Sequence, residues 1–192
     1  ERLCEAFAAV AAARGDISLT YFEMGTLAAF WLFYQSQLDA VVLEVGLGGR
    51  LDTVNVVDAD FALVTSIGVD HVDYLGDTRE LVAFEKAGIF RPGKPALCGD
   101  LDPPGPLLDK AAELAAPLFL RGREFDLASA DGCWSWRGTA ADGAQVELRD
   151  LPLLDLPMEN ATLALQAYLL MGLPWDAAQV RQALLDTRIT GR

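Results

Sequence analysis

The sequence predicts an α/β fold, a mostly parallel sheet flanked by helices, with a small antiparallel β element. Two observations predict it. Short apolar runs at 40–45 (AVVLEV), 61–66 (FALVTS) and 95–98 alternate with stretches of helical period, and that alternation builds parallel sheets covered by helices on both faces. After residue 125 the pattern changes to short alternating runs rich in tryptophan and glycine (GCWSWRG, AQVELRD), which suit an antiparallel hairpin at the edge of the sheet.

The elements follow in order. Residues 1–14 read as a helix, because Leu3, Phe7 and Val10 recur at helical spacing and Gly15 is a plausible stop. Residues 22–37 form a second helix, apolar nearly all round, so it is expected to be buried. The run 40–45 is expected to be a strand covered on both faces, and 61–66 another. Helix 78–90, strand 95–98, helix 106–116 and strand 117–120 continue the alternation. Two more helices follow the hairpin, at 158–171 and 175–187, with Pro174 just ahead of the second, where proline is tolerated.

Composition narrows the partners. The 192 residues are 52% hydrophobic and 22% charged, with a net charge of −13, a pI near 4.3 and mean hydropathy of +0.24. An acidic surface argues against nucleic acid or an anionic membrane as the main partner. A small anionic ligand is still compatible, held by backbone N–H groups and by cations that the acids recruit. Cys4, Cys98 and Cys133 are odd in number and widely spaced, so neither a disulfide framework nor a zinc site is suggested, which fits a cytoplasmic protein. No apolar run is long enough to span a membrane, and no signal peptide is visible. The chain does not start with Met and stops at RITGR; it is expected to be a piece of a longer protein.

In open α/β sheets ligands bind at the carboxyl ends of strands. Glu44 falls there, ahead of the glycine-rich turn GLGGRLD, as does the pair Asp70-His71, which holds the chain's single histidine. Lys86, in FEKAGIF, lies on the next helix. A carboxylate beside a glycine-rich turn suits a divalent cation and a phosphate. Each feature also has a plainer explanation. The glutamate could be a partly buried group paired with a lysine or a backbone donor, the histidine a capping or hydrogen-bonding residue, the glycines a tight turn, and Glu85-Lys86 a solvated charge pair.

Four stretches in this order carry more weight: SLTYFEMGTLAAFWLF, LEVGLGGRLDTVN, TSIGVDHVDYLGDT and EKAGIFRPGKPA. Together the series resembles the central domain of the bifunctional dihydrofolate synthase/folylpolyglutamate synthase family, a branch of the Mur ligase superfamily of ATP-dependent amide-bond ligases. The likeness covers essentially the whole chain and is densest over residues 17–95. TYFE and GLGGRLD mark the folate branch.

The resemblance implies two Mg²⁺ sites, with Glu44 a ligand of one and His71 of the other. It implies that Lys86 is carbamylated, which turns a cation into an anion able to hold the second metal. It places Thr20, Tyr21, Phe22 and Glu23 along the pterin site with Leu51, Asp52 and Thr53 beside it, and gives Asn160 and Arg192 to ATP. The implied substrates are ATP, dihydropteroate, folates and L-glutamate. The implied enzyme is a cytoplasmic monomer that makes an acyl phosphate and then an amide. The family also carries a phosphate loop and a C-terminal glutamate-binding domain. No GxxxxGK[ST] occurs in this chain, so the 192 residues are expected to be inactive alone. Three other readings stand beside this one. They are a Mur-type ligase acting on a cell-wall precursor, a non-catalytic binding module of the same fold, and a metal-dependent hydrolase using Glu44, Asp70, His71 and Asp73.

Overall fold

The computed structural model describes residues 1–130 and 132–188. The chain divides into two compact units, residues 1–58 and 59–192.

The first unit is a helical pair followed by a loop. Helix α1 (Arg2–Arg14) stops at Gly15, whose φ of 55° is a conformation that favours glycine. Helix α2 (Tyr21–Tyr34) starts from a full capping box: the Glu23 N–H donates to Thr20 Oγ1 at 3.2 Å, and the Thr20 N–H donates to Glu23 Oε2 at 2.7 Å. Ala6, Val10 and Ala28 form the buried contact between the two helices, edged by Phe7, Met24, Leu27 and Trp31.

Two expectations for this unit do not hold. Helix α2 is not buried all round: Tyr21 and Tyr34 are 93% and 87% exposed, because within the unit α1 covers only one of its faces. Nor is 40–45 a strand. It runs without regular structure, since a strand exists only as a member of a hydrogen-bonded pair, and this segment has no ladder partner among the described residues.

The second unit contains the α/β core. Strands β1 (Ala62–Val64), β2 (Ala96–Cys98) and β3 (Leu118–Leu120) form a parallel sheet in sequence order, with Ala62 opposite Ala96 and Ala96 opposite Leu118. The short helix α3 (Val72–Leu75) and α4 (Arg79–Ala87) connect β1 to β2, and α5 (Gly105–Glu113) connects β2 to β3. Alternation along β2 explains the layering. Ala96 and Cys98 pack with Val82, Ala83, Leu107 and Ala111 of α4 and α5. Leu97 points the other way, to Leu163 and Ala167 of α6 (Met158–Leu170). Helices therefore cover both faces, as the sequence predicts.

Residues 125–151 depart from the expected hairpin. They form a separate three-stranded antiparallel sheet, β4 (Asp126–Ala130), β5 (Cys133–Thr139) and β6 (Gln145–Pro152), rather than an edge of the parallel one. The reason is a core of its own. Trp134 and Trp136, two residues apart on one face of β5, are buried with Leu148, Leu151, Ala161 and Leu165. Trp136 also stacks on Trp175 at 5.5 Å and donates from Nε1 to the Thr162 carbonyl. The last helix, α7 (Ala177–Asp186), is capped by Asp176. Pro174 lies outside that first turn, and its carbonyl accepts a hydrogen bond from the Tyr168 hydroxyl.

Candidate functional site

In the first unit the glycine-rich turn is organised by one carboxylate. Asp52 Oδ2 accepts from the Gly46 N–H at 3.0 Å and the Leu47 N–H at 3.2 Å, and Oδ1 accepts from the Val54 N–H at 3.0 Å. Asp52 thereby caps the 3₁₀ turn Thr53–Val56 while gathering the start of the loop beneath it. Gly48 (φ 66°) and Gly49 (φ 157°) are both buried in backbone conformations that favour glycine. Gly46 meets the ring of Phe22, and a Cβ there would lie 3.1 Å from it. The structure thus brings the TYFE segment and the GLGGRLD loop together, although the two motifs are well separated along the chain. Glu44 is exposed in the segment that enters the loop, and Leu51 lies open beside Asp52. Thr20 and Glu23 are engaged with each other in the capping box, whose hydrogen bonds from the Thr20 backbone and side chain hold the Glu23 carboxyl below its ordinary value.

In the second unit the loop after β1 carries the histidine. His71 opens α3 with φ 50° and ψ 47°, a left-handed conformation uncommon outside glycine. Its N–H donates to Asp70 Oδ1 at 2.7 Å, and its Nε2 lies 3.8 Å from Asp70 Oδ2. The imidazole is 59% exposed, so it is accessible to a ligand. Lys86 sits half-buried in the last turn of α4 between buried Ala83 and Ala87, and its ammonium has no ion pair among the described residues. Asp73 lies in the first turn of α3. Asn160 is exposed at the start of α6. Arg192 lies outside the described residues.

Two residues absent from the sequence-based candidates fix this loop. Asp100, just past β2, accepts from the Ile67 N–H at 2.9 Å, the Asp102 N–H at 2.9 Å and Arg79 Nη2 at 2.9 Å. Arg79 Nε donates to the Ile67 carbonyl at 2.9 Å. Burial works to raise the Asp100 carboxyl, but the backbone N–H groups of Asp102 and Ile67 and the Arg79 guanidinium outweigh it and hold the group below its ordinary value. A signal existed in the sequence. Arg79 stands in the first turn of a helix, where a cation opposes the dipole, so it needs an acidic partner, and Asp100 stands at a strand's carboxyl end. Nearby, Gly99 admits no side chain, because a Cβ would meet the Thr65 carbonyl at 2.5 Å.

The donor chemistry fits hard divalent cations. Mg²⁺ commonly takes one or two protein ligands and completes its shell with water and substrate phosphate. Glu44 offers an exposed carboxylate, the oxygen donor Mg²⁺ prefers, and His71 an exposed imidazole nitrogen, a softer donor. No group of three or more His, Cys, Asp or Glu residues forms a ready-made metal shell among the described residues.

Comparisons with known proteins bear on these features. The family model of the Mur ligase middle domain matches residues 2–99. The chain is 48% identical over 186 residues, 97% of its length, to the dihydrofolate synthase/folylpolyglutamate synthase of Escherichia coli, of which it spans 43%. Its fold is similar, with a TM-score of 0.92 and 48% identity, to E. coli FolC solved in complex with DHPP and ADP, covering 100% of this chain and 45% of that one. It is likewise similar, with a TM-score of 0.89 and 45% identity, to the bifunctional folylpolyglutamate synthase/dihydrofolate synthase of Yersinia pestis complexed with AMPPNP and Mn, again covering 100% of this chain and 45% of that one. The chain therefore spans somewhat less than half the length of these relatives. It belongs to the Mur ligase middle domain family.

Proposed function

We propose that the polypeptide carrying this chain is an ATP-dependent carboxylate–amine ligase, joining L-glutamate to dihydropteroate and extending reduced folates with further glutamates. The observation that supports it best is the conjunction of the TYFE helix start with the GLGGRLD loop, packed through Phe22 on Gly46, in a chain 48% identical to a dihydrofolate synthase/folylpolyglutamate synthase. Those two motifs favour folate substrates over a cell-wall precursor.

In the proposed reaction the substrate carboxylate attacks the γ-phosphorus of ATP, ADP departs, and an acyl phosphate forms. The glutamate amine then attacks the acyl carbon and phosphate leaves as the amide closes. Glu44 and His71 are the side chains that hold Mg²⁺ in this reading. When bound, the ions supply charge neutralisation for phosphoryl oxygens that would otherwise repel an attacking carboxylate. Lys86, carbamylated, would contribute an anionic oxygen donor from its place in the last turn of α4. Phe22, Tyr21 and Leu51 offer exposed apolar surface to a flat pterin. Thr20, Glu23, Asp52 and Thr53 shape that surface through the cap and the loop, and Asn160 with Arg192 binds the nucleotide.

Glutamate-dependent ADP release by the full-length protein tests this reading. Activity is expected with dihydropteroate and a reduced folate and not with a cell-wall nucleotide-peptide. Replacing a direct ligand should cost at least as much as replacing its supporting groups, so His71→Ala and Glu44→Ala are each expected to lower kcat/KM by about a hundredfold or more. Turnover of the cell-wall precursor alone, or full activity in both variants, would overturn it. The isolated 192 residues are proposed to show no glutamate-dependent ADP release, for want of a phosphate loop in their sequence.

A further inference from the structure

The residues between Ile67 and Arg79 form a closed loop. Arg79 Nε donates to the Ile67 carbonyl at 2.9 Å, twelve residues back, and so joins the two ends. Asp100 ties that junction to the end of β2, since it binds the Ile67 N–H and the Arg79 guanidinium with its two different oxygens. Ile67 itself is 3% exposed, anchored in the core with Val64, Val82 and Phe90. Inside the loop sits His71, in a left-handed conformation that its surroundings must hold in place. On the far side, Gly76 (φ 88°) packs directly onto Leu81 of α4, and a Cβ there would fall 2.4 Å from its Cδ1.

We infer that Arg79 and Asp100 are positioning residues for His71: together they close the base of the 67–79 loop and thereby set where the imidazole meets a divalent cation. The inference rests on the reading of His71 as a cation ligand. It follows from how the loop is held. Gly68 has open space on its Cβ side, with no atom within 4 Å of where a Cβ would stand. Order on that side comes from the buried Ile67 side chain and from both polar backbone groups of Ile67, which this pair holds. Arg79 further bonds the Asp102 carbonyl at 3.0 Å, and Asp102 lends its N–H to Asp100. The fork geometry matters because one guanidinium must reach the Ile67 carbonyl, Asp100 and the Asp102 carbonyl simultaneously, which an ammonium cannot do from one position.

The test is Mn²⁺ affinity of the full-length protein with a non-hydrolysable ATP analogue, read by electron paramagnetic resonance, beside thermal unfolding of each variant. His71→Ala serves as the reference for loss of the ligand itself. Asp100→Asn and Arg79→Ala are each expected to weaken Mn²⁺ binding about tenfold, the scale of lost supporting contacts, with Arg79→Lys falling between Arg79→Ala and the unaltered protein. Variants that unfold at lower temperature yet bind Mn²⁺ normally while folded would show a purely structural role and overturn the inference. If His71→Ala also binds Mn²⁺ normally, the reading of His71 as a ligand falls, and the positioning role falls with it. If His71→Ala weakens binding and the other variants do not, the positioning role alone falls.

Discussion

Asp52 in the first unit gathers the N–H groups of Gly46, Leu47 and Val54; Asp100 in the second gathers those of Ile67 and Asp102. Both loops present a candidate cation ligand, Glu44 or His71, and both are shaped by a carboxylate that satisfies backbone donors. What lies beneath them differs. Asp100 has a guanidinium at 2.9 Å, and its side chain is 12% exposed at the end of a buried strand. Asp52 works above a helical pair whose buried contact comprises Ala6, Val10 and Ala28. Local opening is easiest where few apolar groups are buried. The comparison teaches that the histidine loop is built on a dense core, while the glycine-rich loop gets its shape mainly from polar turn chemistry.

The strongest challenge to that contrast lies in the densely packed unit. Gly138 leaves no room: a Cβ would fall 2.2 Å from the Trp136 ring and 2.5 Å from Gln166 Oε1. Gln166, fully buried, pairs with the Thr139 N–H and carbonyl as a strand would. Gly138→Ala is expected to destabilise the protein by about 3 kcal/mol, the upper end for overpacking, measured by denaturant unfolding. A loss under about 1 kcal/mol would mean that this core is looser than its packing implies. Asp52→Ala comes next. It removes the acceptor of the Gly46 and Leu47 N–H groups, at a cost of about 1 kcal/mol, and should speed hydrogen exchange at those two amides ahead of Ile67. Equal protection of Ile67 and Leu47 in the unaltered protein would break the comparison. Thr20→Ala removes one half of the capping box and is expected to cost about 1 kcal/mol, with loss of helical circular dichroism from α2.

Acid sharpens the same contrast by direction alone. The Asp100 carboxyl is held below its ordinary value of 3.8. The stability it contributes is therefore fully present above that value and lost as pH falls through its lower folded value. The stability gap between the unaltered protein and Asp100→Asn should accordingly narrow as pH falls below that ordinary value. A gap that widens on acidification would contradict the assignment.

Much of the second unit was legible because its signals are local. The helix expected over 78–90 forms as α4, and the runs around Ala62, Ala96 and Leu118 pair in parallel as the alternation requires. The separate antiparallel sheet was not legible, because the burial of Trp134 and Trp136 against α6 is a contact between distant segments. The run 40–45 misled for a related reason: β-branched composition signals a surface that suits a sheet, while the strand itself needs a partner. The candidate residues came from motifs, and the turn chemistry of Asp52 and the capping of Glu23 explain physically why several of those motif positions suit these residue types. Arg79 and Asp100 escaped notice because their partnership spans 21 residues and involves no glycine or histidine to draw attention to it.

The most direct test of the central claim is a crystal structure of the full-length protein with Mn²⁺ and a non-hydrolysable ATP analogue, read in anomalous difference maps. The account predicts two manganese peaks, one within bonding distance of the Glu44 carboxylate and one of the His71 imidazole, with a carbamate on Lys86. Manganese bound to the nucleotide with neither side chain in contact would contradict it.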